Sequence, residues 1–413
     1  MLSSGQRIAF LGASVAAANP GFTRLFEALA TAVAPALDLR YTFAGVGGNR
    51  VPDLVSRVGH DVLASRPDWV VIQTPTNDLR GGTDLGDYTA SYRELLDLVT
   101  ASGASVVVMP PLILNEDLAS SENRLLRDYR ERVRQVATEA GAMTADVDLA
   151  FERFLPLAGS ARGVAPDRGT RLLTVDGVHP NAAGNALLAM ELLFTFGLWD
   201  RRYGGDWLGS ARRVCFLGDS ITAADPGYTR GFAALETALH PERALEYVYA
   251  GIGGNRVGDL LGRLDRDVLA HHPDWVTVSI GVNDVWHRPS GGGTPAPAFR
   301  EGYRELLERI TSAGCRPVVL TPTLIGEDPD GAQNQELEEL VEIERELAAR
   351  ADVPVCDMAA AFVGAVRARQ AAIPRERWPV ENGATRFWTT DGVHMNLAGN
   401  MLMACTMLRP LAT

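Results

Sequence analysis

Short apolar runs alternate along the whole chain with longer stretches in which apolar residues return every three to four positions. Residues 7–11, 39–43, 69–73, 105–109 and 142–146 read as strands. Residues 213–218, 245–249, 275–280, 317–321 and 353–356 repeat the series. Between them the spacing predicts helices such as 300–313 and 335–351, the latter with Leu337, Leu340, Val341, Ile343 and Leu347 near a 3.6-residue period. Glu336, Glu338, Glu339, Glu342, Glu344 and Glu346 on that stretch read as a solvated face. Strand and helix in alternation argue for parallel sheets covered on both faces, so the expected class is α/β.

The pattern is stated twice. Phe43-Ala-Gly-Val-Gly-Gly-Asn-Arg-Val51 returns as Tyr249-Ala-Gly-Ile-Gly-Gly-Asn-Arg-Val257, and Thr174-Val-Asp-Gly-Val-His179 as Thr389-Thr-Asp-Gly-Val-His394. Ser14 and Ser220, Gly48 and Gly254, and Asn77 and Asn283 are each separated by 206 positions. The offset grows to 211 at Tyr92 and Tyr303, across the Gly/Pro-rich stretch 289–297, and to 215 at His179 and His394. Added residues confined to loops are what a duplicated domain predicts. The expected organisation is a first domain over 1–197, a linker over 198–211 and a second domain over 212–413, each a three-layer α/β/α sandwich. Trp199, Tyr203 and Trp207 suggest that the linker packs, and Trp69 and Trp275 at matching strand starts read as core.

Size and charge fit this picture. A chain of 413 residues with 46% hydrophobic and 22% charged content exceeds one ordinary core and suits two globular domains. A net charge of -12 disfavours nucleic acid as a partner. No apolar run approaches the ~20 residues of a membrane span, and the start carries no export-signal pattern, so the expected location is the cytoplasm. Cys215, Cys315, Cys356 and Cys405 lack metal-ligand spacing and read as reduced core thiols. Richness in Ala, Arg, Gly and Val with a poverty of Lys suggests a high-GC bacterial source.

The repeated residues carry chemistry. A serine hydroxyl becomes a nucleophile when an imidazole, oriented by a carboxylate, takes its proton. Ser220 directly follows the first strand of its half, at the sheet edge where open α/β folds bind ligands. Asp391 and His394, three residues apart before the last helix, can reach that edge. A tetrahedral oxyanion needs donors, and Gly254 after the second strand and Asn283 after the third can supply a backbone and a side-chain N–H. Ser14, Gly48, Asn77, Asp176 and His179 stand at the corresponding places in the first half. Trp286, Trp378 and Trp388 flank the second site as pocket walls or as covers of the sheet edge.

In this order the blocks resemble the SGNH hydrolase superfamily, also called GDSL esterases and lipases, over nearly the whole of both halves. In the second half they read Gly218-Asp-Ser-Ile-Thr222, Gly254, Gly281-Val-Asn-Asp284 and Asp391-Gly-Val-His394. The resemblance implies tandem flavodoxin-like domains with five-stranded parallel sheets, Ser220 as both nucleophile and oxyanion donor, and a shallow site that needs no metal or other cofactor. It implies cleavage of a small-molecule carboxylic ester, such as an acylated metabolite or sugar, through an acyl-enzyme. An acyltransferase would share that intermediate, and a third reading makes one half a binding or scaffold module. The first half departs from the pattern. Ala13 replaces the aspartate before the serine, which removes a support of the nucleophile turn. Thr74-Pro-Thr-Asn-Asp78 replaces Gly-Val-Asn-Asp, and Pro75 would stiffen the turn that presents Asn77.

Overall fold

Strand β1 (Arg7–Gly12) reads Arg-Ile-Ala-Phe-Leu-Gly, and every residue after the arginine is buried. Such a run belongs inside a sheet flanked on both faces. Beside it lie β2 (Arg40–Gly45), β3 (Trp69–Gln73), β4 (Ser105–Met109) and β5 (Met143–Thr144), in the order β2-β1-β3-β4-β5. The second half repeats this with β6 (Arg213–Gly218), β7 (Glu246–Gly251), β8 (Trp275–Ser279), β9 (Arg316–Leu320) and β10 (Val355–Cys356), in the order β7-β6-β8-β9-β10. All these pairings are parallel. The order is that of a flavodoxin-like sheet. The computed structural model describes residues 2–74, 76–161, 171–200, 206–377, 379–381, 384–409 and 411. Its chain divides into two units, Met1–Arg201 with Ala238–Glu242, and Arg202–Thr237 with Arg243–Thr413.

Register places the sites. β1 pairs with β2 from Arg7↔Arg40 to Gly12↔Gly45, and β6 with β7 from Arg213↔Glu246 to Gly218↔Gly251, so both pairs end level at their carboxyl ends. There the helices Ser14–Ala17 and Ser220–Ala223 start. A Cβ on Gly251 would stand 2.3 Å from Ala223 N, and one on Gly45 2.3 Å from Ala17 N. Glycine at these two positions lets the serine-bearing turn lie against the neighbouring strand.

Several elements differ from the sequence expectation. The two outer strands β5 and β10 have only two residues each. After Thr144 the chain turns, and Asp146 pairs with Arg134 instead of extending the strand. Within the stretch where the offset grows from 211 to 215, the second half forms an antiparallel pair, β11 (Val380–Glu381) and β12 (Ala384–Thr385). The helix Ala332–Arg350 exposes Glu336, Glu338, Glu339 and Glu342, whereas Glu344 is fully buried. Glu344 lies four residues from Leu340 and three from Val341 and Leu347, which puts it on the apolar face. Neither of its carboxyl oxygens has a hydrogen-bond partner among the described residues, and burial pushes its carboxyl well above the usual range.

Of the two readings of Trp388, its full burial favours a packing role over a pocket wall, and Trp378 lies outside the described residues. Trp275 is buried and meets Trp207 edge to face at 5.2 Å, while Trp69 meets Phe196 in the same way at 5.4 Å. Trp207 donates its indole N–H to Met407 O at 2.8 Å, and Trp199 is buried, so these residues of the 198–211 segment pack. Tyr203 of that segment and Pro75 lie outside the described residues. The four cysteines are free and buried, and burial pushes the Cys215 and Cys405 thiols up to about 12. Among the described residues no helix is long and apolar enough to cross a membrane.

Candidate active site

The carboxyl ends of the strands gather the same groups in both halves. His179 Nε2 lies 2.9 Å from Ser14 Oγ, and His179 Nδ1 lies 2.6 Å from Asp176 Oδ2. In the second half His394 Nε2 lies 3.0 Å from Ser220 Oγ, and His394 Nδ1 lies 2.7 Å from Asp391 Oδ2. An ionised carboxylate only accepts, so Nδ1 carries the proton and Nε2 of the neutral ring is left to accept from the serine. Tautomer and role thus follow from the hydrogen-bond pattern.

Each aspartate is fixed from its other oxygen. Asp176 Oδ1 accepts from Val178 N at 2.9 Å and His179 N at 2.8 Å, and Asp391 Oδ1 accepts from Val393 N and His394 N at the same two distances. The bond from the His179 backbone, then that from its ring, holds the Asp176 carboxyl far below the usual range. Burial pushes the Asp391 carboxyl up, but the bonds from His394 outweigh it and leave the group at about 2.

The glycine turns lie opposite the serines. A Cβ on Gly47 would stand 4.0 Å from Ser14 Cβ, and one on Gly253 3.9 Å from Ser220 Cβ. The next residues, Gly48 at φ 81° and Gly254 at φ 76°, are left-handed and solvent-facing. Asn77 and Asn283 each spend one amide N–H on the turn, donating to Asn49 O at 2.9 Å and to Asn255 O at 3.0 Å. One N–H of each amide remains. Asn283 is the more buried, and Gly281 before it takes φ 122°.

Two pairs of residues that the sequence reading passed over hold these parts together. Arg57 donates to Asn49 Oδ1 at 2.6 Å and to Gly12 O and Ala44 O at 2.9 Å, tying the glycine turn to the ends of β1 and β2. Arg263 does the same toward Asn255 Oδ1 at 2.7 Å and Gly218 O at 2.8 Å. Buried Glu116 accepts from the backbone N–H groups of Leu172, Leu173 and Thr174 and from the Thr174 hydroxyl, over 2.5 to 2.9 Å. Buried Glu327 accepts from Phe387, Trp388 and Thr389 and the Thr389 hydroxyl, over 2.6 to 2.8 Å. Each glutamate therefore anchors the strand-like segment that leads into an Asp-x-x-His turn. A signal was present: Arg57 and Arg263 match at offset 206, and Glu116 and Glu327 at 211.

The halves differ around this frame. Asp219 Oδ1 accepts from Ile221 N at 2.9 Å and caps the Ser220 helix, whereas Ala13 leaves the Ser14 helix without a side-chain cap. Burial pushes the Asp219 carboxyl up to about 7. Trp286, 37% exposed, stands edge-on to the His394 ring at 6.4 Å. Beside Ser14 and Asn77 lies a cavity of about 10 Å³, lined by Leu112, Ile113, Leu114 and Val178. Among the described residues no group of three or more His, Cys, Asp or Glu side chains is placed to hold a metal ion.

The chain is similar to known proteins. The GDSL-like lipase/acylhydrolase family matches residues 10–187 and again 216–402. An acetylxylan esterase of Geobacillus stearothermophilus is 28% identical over 228 residues, covering 49% of this chain and 95% of that protein. Among solved structures, an acetyl xylan esterase is 31% identical, covering 47% of this chain and 97% of its own, with a TM-score of 0.43. The Geobacillus stearothermophilus acetylxylan esterase structure is 27% identical, covering 48% and 96%, with a TM-score of 0.42. With both of its halves matched, the chain belongs to the GDSL-like lipase/acylhydrolase family, as two tandem copies, and is a carboxylic ester hydrolase.

Proposed function

We propose that each half is a serine esterase working through an acyl-enzyme. The observation that carries this is the unbroken Ser–His–Asp hydrogen-bond chain in both halves, 2.9 and 2.6 Å in the first and 3.0 and 2.7 Å in the second. In each, the histidine Nε2 takes the serine proton as Oγ attacks the ester carbonyl, and the aspartate steadies the imidazolium. The serine N–H, the glycine-turn N–H (Gly48 or Gly254) and the free amide N–H of Asn77 or Asn283 face the developing oxyanion. The imidazolium then gives its proton to the leaving alcohol, and water repeats the sequence to release the acid. Domains over 1–197 and 212–413 would each carry one complete set.

For the acyl group we propose acetyl or a group of similar size. The cavity beside Ser14, about 10 Å³, holds about one water-sized group. Two similar proteins are acetylxylan esterases, which supports an acetylated sugar or related small alcohol as the substrate class. Reaction with a serine-directed phosphonate followed by intact mass tests the reading. Two additions per chain are expected, one after Ser14→Ala or Ser220→Ala, and none in the double variant. A chain that takes up no phosphonate would refute an activated serine in either half, and a single addition would leave the other half a binding module. Product analysis in water with added alcohols separates hydrolysis from acyl transfer.

A further inference from the structure

The two sites share their reacting groups, yet the residue three positions beyond the oxyanion asparagine differs in kind. In the second half this is Trp286, on the helix Val282–Trp286. Residues three apart share a helix face, and the Trp286 ring reaches to 6.4 Å from that of His394. In the first half the same place, at the end of the helix Asn77–Arg80, is held by Arg80, which is exposed. The next residue differs as well. His287 follows Trp286, whereas Gly81 follows Arg80, and the space over Gly81 is taken by another guanidinium. A Cβ on Gly81 would stand 2.1 Å from Arg50 Nη2.

Neither Arg50 nor Arg80 forms an ion pair within 4 Å among the described residues. Arg256, the counterpart of Arg50, is engaged, with its guanidinium 3.9 Å from Asp259 and 3.4 Å from Gly293 O. Asp176 and Asp391 are equivalent and do not separate the sites, but Asp219 before Ser220 has only Ala13 as its counterpart, so the second site carries one buried carboxyl more than the first. The difference left at the rim is the exposed Arg80 of the first half against the aromatic face of Trp286 in the second.

We propose, on the esterase reading above, that the two sites divide substrates by charge. The first takes esters whose alcohol portion carries an anionic group, a carboxylate or a phosphate, and the second takes neutral esters whose alcohol portion has a ring. The charge is placed on the alcohol because the acyl group, on the reading above, is of acetyl size. At an exposed rim a single guanidinium acts through partly screened Coulomb attraction, about fivefold in KM and weaker in salt. A neutral ring stacks on the indole face of Trp286, and the Asp219 carboxyl beside Ser220 disfavours an anionic one.

The test uses the full chain with one serine removed, and two probes: 4-nitrophenyl acetate and its ring-carboxylated analogue. The Ser220→Ala chain, working through its first site, should prefer the carboxylated ester by about fivefold or more in kcat/KM, through KM, with the preference fading in 0.5 M salt. The Ser14→Ala chain should prefer the neutral ester. Adding Arg80→Gln to the former should erase its preference, and adding Trp286→Arg to the latter should shift its preference toward the anion. Equal preferences in the two single-serine chains would overturn the proposal, as would a preference that these exchanges leave unmoved. Failure of the esterase reading looks different, because then neither chain cleaves either probe or takes up phosphonate. Phosphonate labelling of the second site alone also overturns the division, since it leaves no first site to select.

Discussion

Replacing Asp219 by asparagine should make the second half more stable at alkaline pH and leave it nearly unchanged in acid. Asp219 is 2% exposed, caps the Ser220 helix through Ile221 N, and has its carboxyl pushed up to about 7 by burial. Unfolded, the same group titrates near the ordinary value of about 3.9. The folded chain thus holds this proton more tightly than the unfolded one, so the associated stability is complete below pH 4 and is lost as pH rises through 7. A rise from 3.8 to about 7 corresponds to about 4 kcal/mol between those limits. Asparagine keeps the oxygen that accepts from Ile221 and has no proton to lose. Relative to the parent, the variant should therefore gain little at pH 4, gain steadily to pH 7 and level off above it. For a unit of about 200 residues the full gain is about 10 °C in the midpoint of its transition. Calorimetric scans of the full chain at pH 4, 6 and 8 measure it. A difference that does not change with pH, or a variant less stable than the parent at pH 8, would refute the reasoning. It would mean that the ionised carboxylate is held by interactions stronger than its burial cost.

Other outcomes follow from the same geometry. Glu344→Val, which installs the residue found at the matching position Val133, should raise stability by about 1–3 kcal/mol at pH 8, since it removes a buried carboxyl without partners; the urea midpoint checks this. Glu327→Gln should lower kcat of the Ser14→Ala chain by about 10²-fold with KM little changed, because the histidine turn loses a carboxylate that accepts four bonds. An equal fall in stability and KM without loss of kcat would show that Glu327 serves the fold alone. Asp391→Asn in the same background should cost about 10⁴ in kcat, as the histidine tautomer is no longer fixed. With the Asp391 carboxyl held at about 2, loss of activity above pH 4 in acid titration should belong to another group, and a rate profile that retains its shape in Asp391→Asn checks this.

The strands and the grouping of Ser14, Asp176 and His179 with one another were legible because they rest on period and repetition, whereas the flavodoxin-like sheet came from the family resemblance. Strands of apolar residues must be covered, and a motif that recurs at a constant offset marks a shared frame. What escaped the sequence was of two kinds. Arg57, Arg263, Glu116 and Glu327 recur at the repeat's offsets, but they work largely through backbone N–H and C=O groups, so their recurrence does not say what they hold. Glu116 reaches Leu172 across 56 residues, a span set by the fold and not by local spacing. Glu344 was misplaced because residue type was weighed above position: a glutamate on an apolar helix face goes where its neighbours carry it. The altered motifs of the first half were visible, but a residue such as Arg80 acquires meaning only beside its counterpart Trp286.

In each half the serine and histidine of the proposed triad come from near the start and near the end of its sequence, 165 residues apart for Ser14 and His179 and 174 for Ser220 and His394. No partly folded intermediate that lacks the last turn and helix of its half can bring the two together. On the proposed reading, turnover by either serine is a report that its half has folded to the end, and the two serines would make two such reporters, one for each half.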